Sequence, residues 1–416
     1  MKRLFRYSSI LLCLLLCLSA CKQDTPPAEP GASSSSSAVP PAEQPDPPEP
    51  LPEAPPPEPG DDLADRLAHR YGRSFLSLEQ QQVYDDYYRL LSAMDPSQDL
   101  PLPRAMTEDE TVRLLSYFVS DNPEFFWAEP QYMIERTQGS VSSLAFSFRF
   151  GLAQEEVQRR WDAVLEQRDI LLADLPDDPA AISVVLHDRI LAHVTYDTSA
   201  DTTGIGNLYG ALVQGYGVCD AYSKTYQYLL QELGIPCIYL QGTTDRGTTH
   251  SWNAVKLNGV WHYSDITWDD QEHTSHAHLN ISSAEIAREH YWDIDQYPLI
   301  PQSGQTTDYY AMHGYVVPVG QNPAATLSAL AAAFARQFEA RAKSGETVYL
   351  EVKIPGDSAD YLKVKNWFLN NIFGVFAEMD AILRASDAAV RPLRQDTITC
   401  NYNDMLQILI LLPQAE

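Results

Sequence analysis

Fourteen of the chain's 29 prolines fall between Lys22 and Gly60, and this concentration divides the chain before any other feature does. Proline removes a backbone donor and fixes φ, so a run this dense extends neither a helix nor a sheet. A serine run, Ser33 to Ser37, and seven acids against one lysine leave the stretch nothing to bury. It reads as an extended tether reaching roughly 100 Å at about 3 Å per residue. The folded mass is therefore expected from Asp61 onward, long enough for a large core and more than one unit.

Ahead of the tether, Lys2, Arg3 and Arg6 form a positive region and Ile10 to Leu18 an apolar one too short to span a bilayer. Leu18-Ser19-Ala20-Cys21 resembles the lipobox of bacterial lipoproteins. That implies cleavage before Cys21, lipidation of its thiol and stable anchoring at the extracytoplasmic face of the membrane. Losing Lys2, Arg3 and Arg6 with the leader takes the net charge from −27 to −30. Such acidity argues against nucleic acid or an anionic membrane surface as partner.

Six cysteines are present. Cys13 and Cys17 lie in the leader and Cys21 is the lipid site, which leaves Cys219, Cys237 and Cys400. An odd three is not a disulfide framework; it fits one reactive thiol and two buried ones, with a Cys237–Cys400 bridge as the alternative.

From Asp61 to Ala181 the pattern is mainly helical. Ser77-Leu78-Glu79-Gln80 and Thr107-Glu108-Asp109-Glu110 are capping boxes ahead of apolar residues at helical spacing. Leu144, Phe146, Phe148 and Phe150 alternate with small or polar residues after a turn at Gln138-Gly139-Ser140, which predicts a hairpin. Helices through Trp161 and from Pro179 follow.

Cys219, His250 and Asp265 then arrive in order. Cys219 is predicted to open a helix to Leu233, where the dipole favours a thiolate. Strands are expected at 235–242, 250–257 and 260–266, with Asn258-Gly259 as a two-residue hairpin turn. That turn sets His250 opposite a position near 267 and makes Asp265 a near neighbour across the ladder. A thiol, an imidazole and a carboxylate in those contexts are a nucleophile, a base and a group orienting the base. Among the other candidates, Cys237 reads as core and His262 as exposed or structural. Asp269 and Asp270 read as caps of the strand end. His273, His276 and His278 fit no helix face, so no metal and no cofactor is expected.

The blocks Tyr209-Gly210-Ala211-Leu212-Val213, Gly217-Val218-Cys219-Asp220-Ala221-Tyr222, Leu233-Gly234-Ile235-Pro236-Cys237, His250-Ser251-Trp252-Asn253 and Trp261 to Asp270 together resemble the transglutaminase-like superfamily of papain-fold cysteine enzymes. His187-Asp188 and Val194 to Asp197 resemble the run preceding the nucleophile in bacterial members, and the likeness spans roughly 183–297. It implies an α+β fold: a helical N-terminal region, a catalytic core with the cysteine helix packed on an antiparallel sheet, and a small α/β C-terminal module. The expected divisions are leader 1–20, lipidated tether 21–60, helical region 61–181, catalytic domain 182–304 and module 305–416.

The resemblance also implies a thiolate–imidazolium pair that attacks a peptide or protein amide and leaves a thioester. Gln214 is the oxyanion donor suggested by papain-like enzymes, beside the Cys219 N–H. Cross-linking transglutaminases carry Gly-Gln-Cys-Trp and calcium sites; here the residues are Gly217-Val218-Cys219-Asp220 with no calcium loop. Hydrolysis and acyl transfer both stay open. The rival reading is an inactive scaffold that keeps the fold to hold a peptide.

Overall fold

The computed structural model describes residues 7–9, 62–135, 139–198, 204–271, 273–292, 308–320, 322–342, 348–386 and 399–413. The predicted tether and Cys21 lie outside them, as does most of the leader. Among the described residues no helix is long and apolar enough to cross a membrane. The fold is α+β, helices packed on antiparallel sheets.

Both capping boxes form. Ser77 Oγ accepts from Gln80 N at 3.3 Å while the Gln80 side chain accepts from Ser77 N at 3.0 Å, starting helix Leu78–Ser92. Thr107 and Glu110 repeat the exchange ahead of Glu108–Asp121. The apolar faces of these helices meet at Phe118, which packs edge-on against Tyr84 and Tyr87. Strands Ala128–Glu135 and Ser140–Phe148 form the hairpin, flanked by Leu100–Met106 on one edge and Tyr7–Ser9 on the other. Phe150 does not continue the alternation. It sits in a tight turn at φ 58° with its ring exposed, because the strand ends at Phe148.

The sheet that matters for function runs in the order His290–Tyr291, Cys237–Thr244, Thr249–Leu257, Val260–Ser264. Asn258 and Gly259 both have positive φ (50° and 86°), as a two-residue hairpin turn demands, and Leu257 pairs with Val260. The ladder stops at Asn253–Ser264, one residue short of Asp265. Asp265 is therefore not a strand residue as expected. It leaves the sheet to become the N-cap of a short helix, Ile266–Asp269, its Oδ1 accepting from Trp268 N at 3.1 Å. His250 has no ladder partner near 267; it pairs with Gly242 on the opposite side.

Helix Cys219–Glu232 lies across this sheet. Asn253, wholly buried, stitches the layers by donating to Ser223 O at 3.0 Å and Ile238 O at 3.3 Å. Helix Pro179–His193 starts at its proline, with Asp178 accepting from Ala181 N.

Beyond residue 308 the strands Leu350–Lys353, Ile408–Leu412 and Thr399–Asn403 form an antiparallel sheet in that order. The strand period of two sends its faces to different cores. Leu350, Val352, Leu409 and Leu411 join Phe334, Phe338 and Phe368 of the C-terminal helices, whereas Ile408 and Ile410 belong to the larger core of the rest of the molecule. Two helices of the module, Ser358–Asn370 and Ile372–Ala385, are separated at Asn371, where φ is −130°.

Candidate active site

Cys219 opens its helix as expected and is buried at 6% exposure. Val218 arrives extended and its N–H bonds to Ile205 O at 2.9 Å, while Thr195–Tyr196 pairs in parallel with Tyr216–Gly217. Gly217 is required by close approach: a Cβ there would stand 2.4 Å from Ala221 Cβ. Gly217→Ala is expected to cost on the order of 2 kcal/mol by overpacking, read as a lowered urea midpoint. An unchanged midpoint would mean that the cysteine approach is not held by this contact.

The first turns of the helix face the His250 strand, Ser223 Oγ standing 3.5 Å from Ser251 Oγ. His250 Nε2 is 2.6 Å from Asp265 Oδ2, both groups buried. The strand delivers His250 and the N-cap turn delivers Asp265, so the contact is made around the corner of the sheet rather than across its ladder. With Nε2 engaged, Nδ1 is the ring nitrogen left for a thiol. The ring is flanked by Trp252 and Trp268 at centroid distances of 6.1 and 5.5 Å, both near parallel.

Asp265 Oδ2 takes a second imidazole, His290 Nε2 at 2.9 Å. Burial works to raise the Asp265 carboxyl, yet His250 and His290 together hold it well below the usual carboxylate range. Burial pushes the His290 imidazole down, outweighing its pull from Asp265. His290 therefore stays neutral and donates its Nε2–H to the carboxylate. The unfolded chain takes up a proton below about pH 6.5 that buried His290 refuses, so this residue subtracts stability as pH falls from 7 to 5. His290→Gln is expected to flatten that part of the stability–pH curve, and an unaltered curve would count against a neutral His290.

Nothing in the sequence marked His290, which sits 25 residues past Asp265 in a two-residue strand joined to Cys237–Thr244. The expected capping role of Asp269 does not hold. It is wholly buried, its carboxylate taking His187 Nε2 at 3.2 Å and both the backbone N–H and Nδ1 of His278. Asp270 instead accepts from the Tyr222 hydroxyl. His262 is buried, not exposed. Gln214, the oxyanion candidate, ends a π-helical turn with its side chain exposed and its Oε1 against Gly204. Cys237 and Cys400 are free, which excludes the alternative bridge, and burial pushes both thiols up. Among the described residues, two groups have donor atoms close enough to share a metal ion: His250, Asp265 and His290, and separately His187, Asp188 and His276.

Residues 172–266 match the model of the Transglutaminase-like superfamily, a span that contains Cys219, His250 and Asp265 and ends before His290. Among solved structures, the chain overlaps a TGase crystal structure at 15% identity and TM-score 0.27, over 44% of this chain and 50% of that one. A proposed cysteine protease from Cytophaga hutchinsonii overlaps at 14% identity and TM-score 0.22, over 31% and 51%. The periplasmic domain of TgpA from Pseudomonas aeruginosa overlaps at 15% and 0.22, over 34% and 65%. The chain thus spans about half the length of the first two, and overlaps this partial decide nothing about activity. No curated protein matches the chain.

Proposed function

We propose that this chain, transglutaminase-like over 172–266, is a thiol enzyme acting on peptide or protein amides, with Cys219 as nucleophile, His250 as base and Asp265 orienting the base. The observation that carries the reading is the 2.6 Å bond from a wholly buried Asp265 to His250, on a strand packed under the helix that Cys219 opens. A buried carboxylate on one ring nitrogen fixes the tautomer and supports an imidazolium, which is what a thiolate partner requires.

In this reading the Cys219 thiolate attacks the amide carbonyl, and the N–H groups of the first helical turn stabilise the oxyanion. His250 returns its proton to the departing amine. A thioester on Cys219 remains, and water or a second amine resolves it. Lipidation at Cys21 and the 22–60 tether place the enzyme on the outer face of a bacterial membrane, where envelope peptides are its substrates.

The test incubates the full chain with glutamine-containing peptides, with and without a primary-amine probe, and follows ammonia release, peptide cleavage and amine incorporation. Activity in the wild type that is lost in Cys219→Ala supports the enzyme, and the product type separates hydrolysis from transfer. Peptide binding without turnover, unaltered in Cys219→Ala, would favour the scaffold.

A further inference from the structure

We infer that His187, Asp188 and His276 form a binding site for a divalent transition metal of the zinc type, separate from the nucleophile and its base. Asp188 Oδ1 stands 2.9 Å from His187 Nδ1 and 2.8 Å from His276 Nε2, and the three donor atoms lie within 4.8 Å of one another. Zinc–nitrogen and zinc–carboxylate bonds are about 2.0–2.2 Å. The 2.8–2.9 Å between Asp188 Oδ1 and each ring nitrogen need widen by only a few tenths of an ångström to seat an ion beside the carboxylate, and the two nitrogens lie within 4.8 Å of each other. Two imidazoles and one carboxylate suit zinc or its neighbours; calcium and magnesium favour oxygen donors alone.

The far nitrogen of His187 fits such a ligand. A metal-bound histidine characteristically turns its other nitrogen to a carboxylate, which fixes the tautomer. His187 Nε2 is 3.2 Å from Asp269 Oδ2, and His276 Nδ1 is 4.0 Å from Glu351 Oε2. His187 is therefore set to hold one proton outward, toward Asp269, and to aim its Nδ1 at the shared point beside Asp188. His276 Nδ1 has no hydrogen-bond partner among the described residues, and Glu351 instead takes the His276 backbone N–H at 3.4 Å. The rings are also held in place. His187 is wholly buried, and His276, at 3% exposure, stacks on Tyr309 with centroids 3.7 Å apart. Asp188 is the open side, its side chain 48% exposed, so an ion can enter from solvent and keep a water as its fourth ligand.

These ligands come from helix Pro179–His193 and from the loop before Asn280. Behind them stand Asp269, four residues past Asp265, against the His187 ring, and Glu351 of the C-terminal sheet, which takes the His276 backbone N–H. An ion here would clasp three parts of the molecule. The spacing of His273, His276 and His278 concealed it, because only His276 turns to this point. His278 goes to Asp269 and Glu289, and His273 stacks on Tyr349.

The experiment uses the full chain as Cys219→Ala, which removes the reactive thiol as a zinc ligand. Equilibrium dialysis with zinc alone is expected to give one tight equivalent, with an X-ray absorption spectrum showing two imidazoles, oxygen and no sulfur. Asp188→Asn and His276→Gln, each checked for fold by circular dichroism, should weaken binding at least a hundredfold, while His290→Gln leaves it intact. Zinc should also raise the thermal midpoint of the unmutated ligand set, a readout independent of any variant's folding. No stoichiometric zinc, sulfur in the first shell, or binding lost in His290→Gln but kept in Asp188→Asn would overturn the assignment.

Discussion

Alkylation of Cys219 by iodoacetamide, followed residue by residue by mass spectrometry, should run at a rate nearly independent of pH between about 5 and 8. In His250→Ala the same residue should behave as an ordinary thiol. Its rate should climb about tenfold per pH unit toward a pKa near 8.5. The size of the gap follows from two opposing effects. At pH 5.5 an unpaired thiol is only about 0.1% thiolate, but a thiolate of low pKa is a weaker nucleophile by a Brønsted slope near 0.45. For an ion-paired pKa near 4, the net advantage of the wild type at that pH is about tenfold. The bond from buried Asp265 to His250 makes the pairing sustainable, since the imidazolium would lie against a carboxylate already held ionised. A Cys219 whose profile matches the His250→Ala profile would remove the activated nucleophile, and with it the enzyme reading. The zinc assignment would survive that result, because it shares no residue with the thiol.

The largest loss of stability is expected from Lys353→Met, about 3–5 kcal/mol by urea denaturation at pH 7. Lys353 lies on the face of the C-terminal sheet opposite Leu350 and Val352, at 7% exposure, and its ammonium bridges Glu285 and Asp308. Burial works to raise the Glu285 carboxyl, but Lys353 holds it below its ordinary value. The pair is not costly because lysine is lost as such; the cost is two buried carboxylates left without a cation. A carboxyl depressed in the fold contributes stability above its unfolded pKa, near 4.3, that is lost as pH falls through the folded value. Without Lys353 the buried Glu285 carboxyl instead favours protonation, so the gap between variant and wild type should narrow toward pH 4. Adding Glu285→Gln and Asp308→Asn should recover part of the loss at pH 7. A difference below about 1 kcal/mol would mean that the triad is solvated in solution and does not tie the sheet to the rest of the chain.

Much of the local structure was legible because its causes are local. Ser77 and Thr107 cap their helices through residues three positions on, and Asn258-Gly259 turns through its own φ angles. Cys219 is legible at a helix start because glycines precede it and a helical pattern follows it in the chain. Asp265 shows where local reasoning stops. Its place near His250 followed from the hairpin turn, but its backbone state did not. A competing use of the same side chain, capping Trp268 N, ended the strand two residues early.

The sequence by itself determined the capped helices and the register of the hairpin, since each rests on residues within a few positions of one another, and the order of thiol, imidazole and carboxylate, which is the order of the chain itself. Only the tertiary structure decided that Asp265 carries His290 as well as His250, and that His187, Asp188 and His276 converge across 88 residues. It also decided that the strand Ile408–Leu412 faces two cores at once. Those arrangements depend on which buried donor meets which buried acceptor, and chain spacing carries no record of that once the partners lie on separate elements.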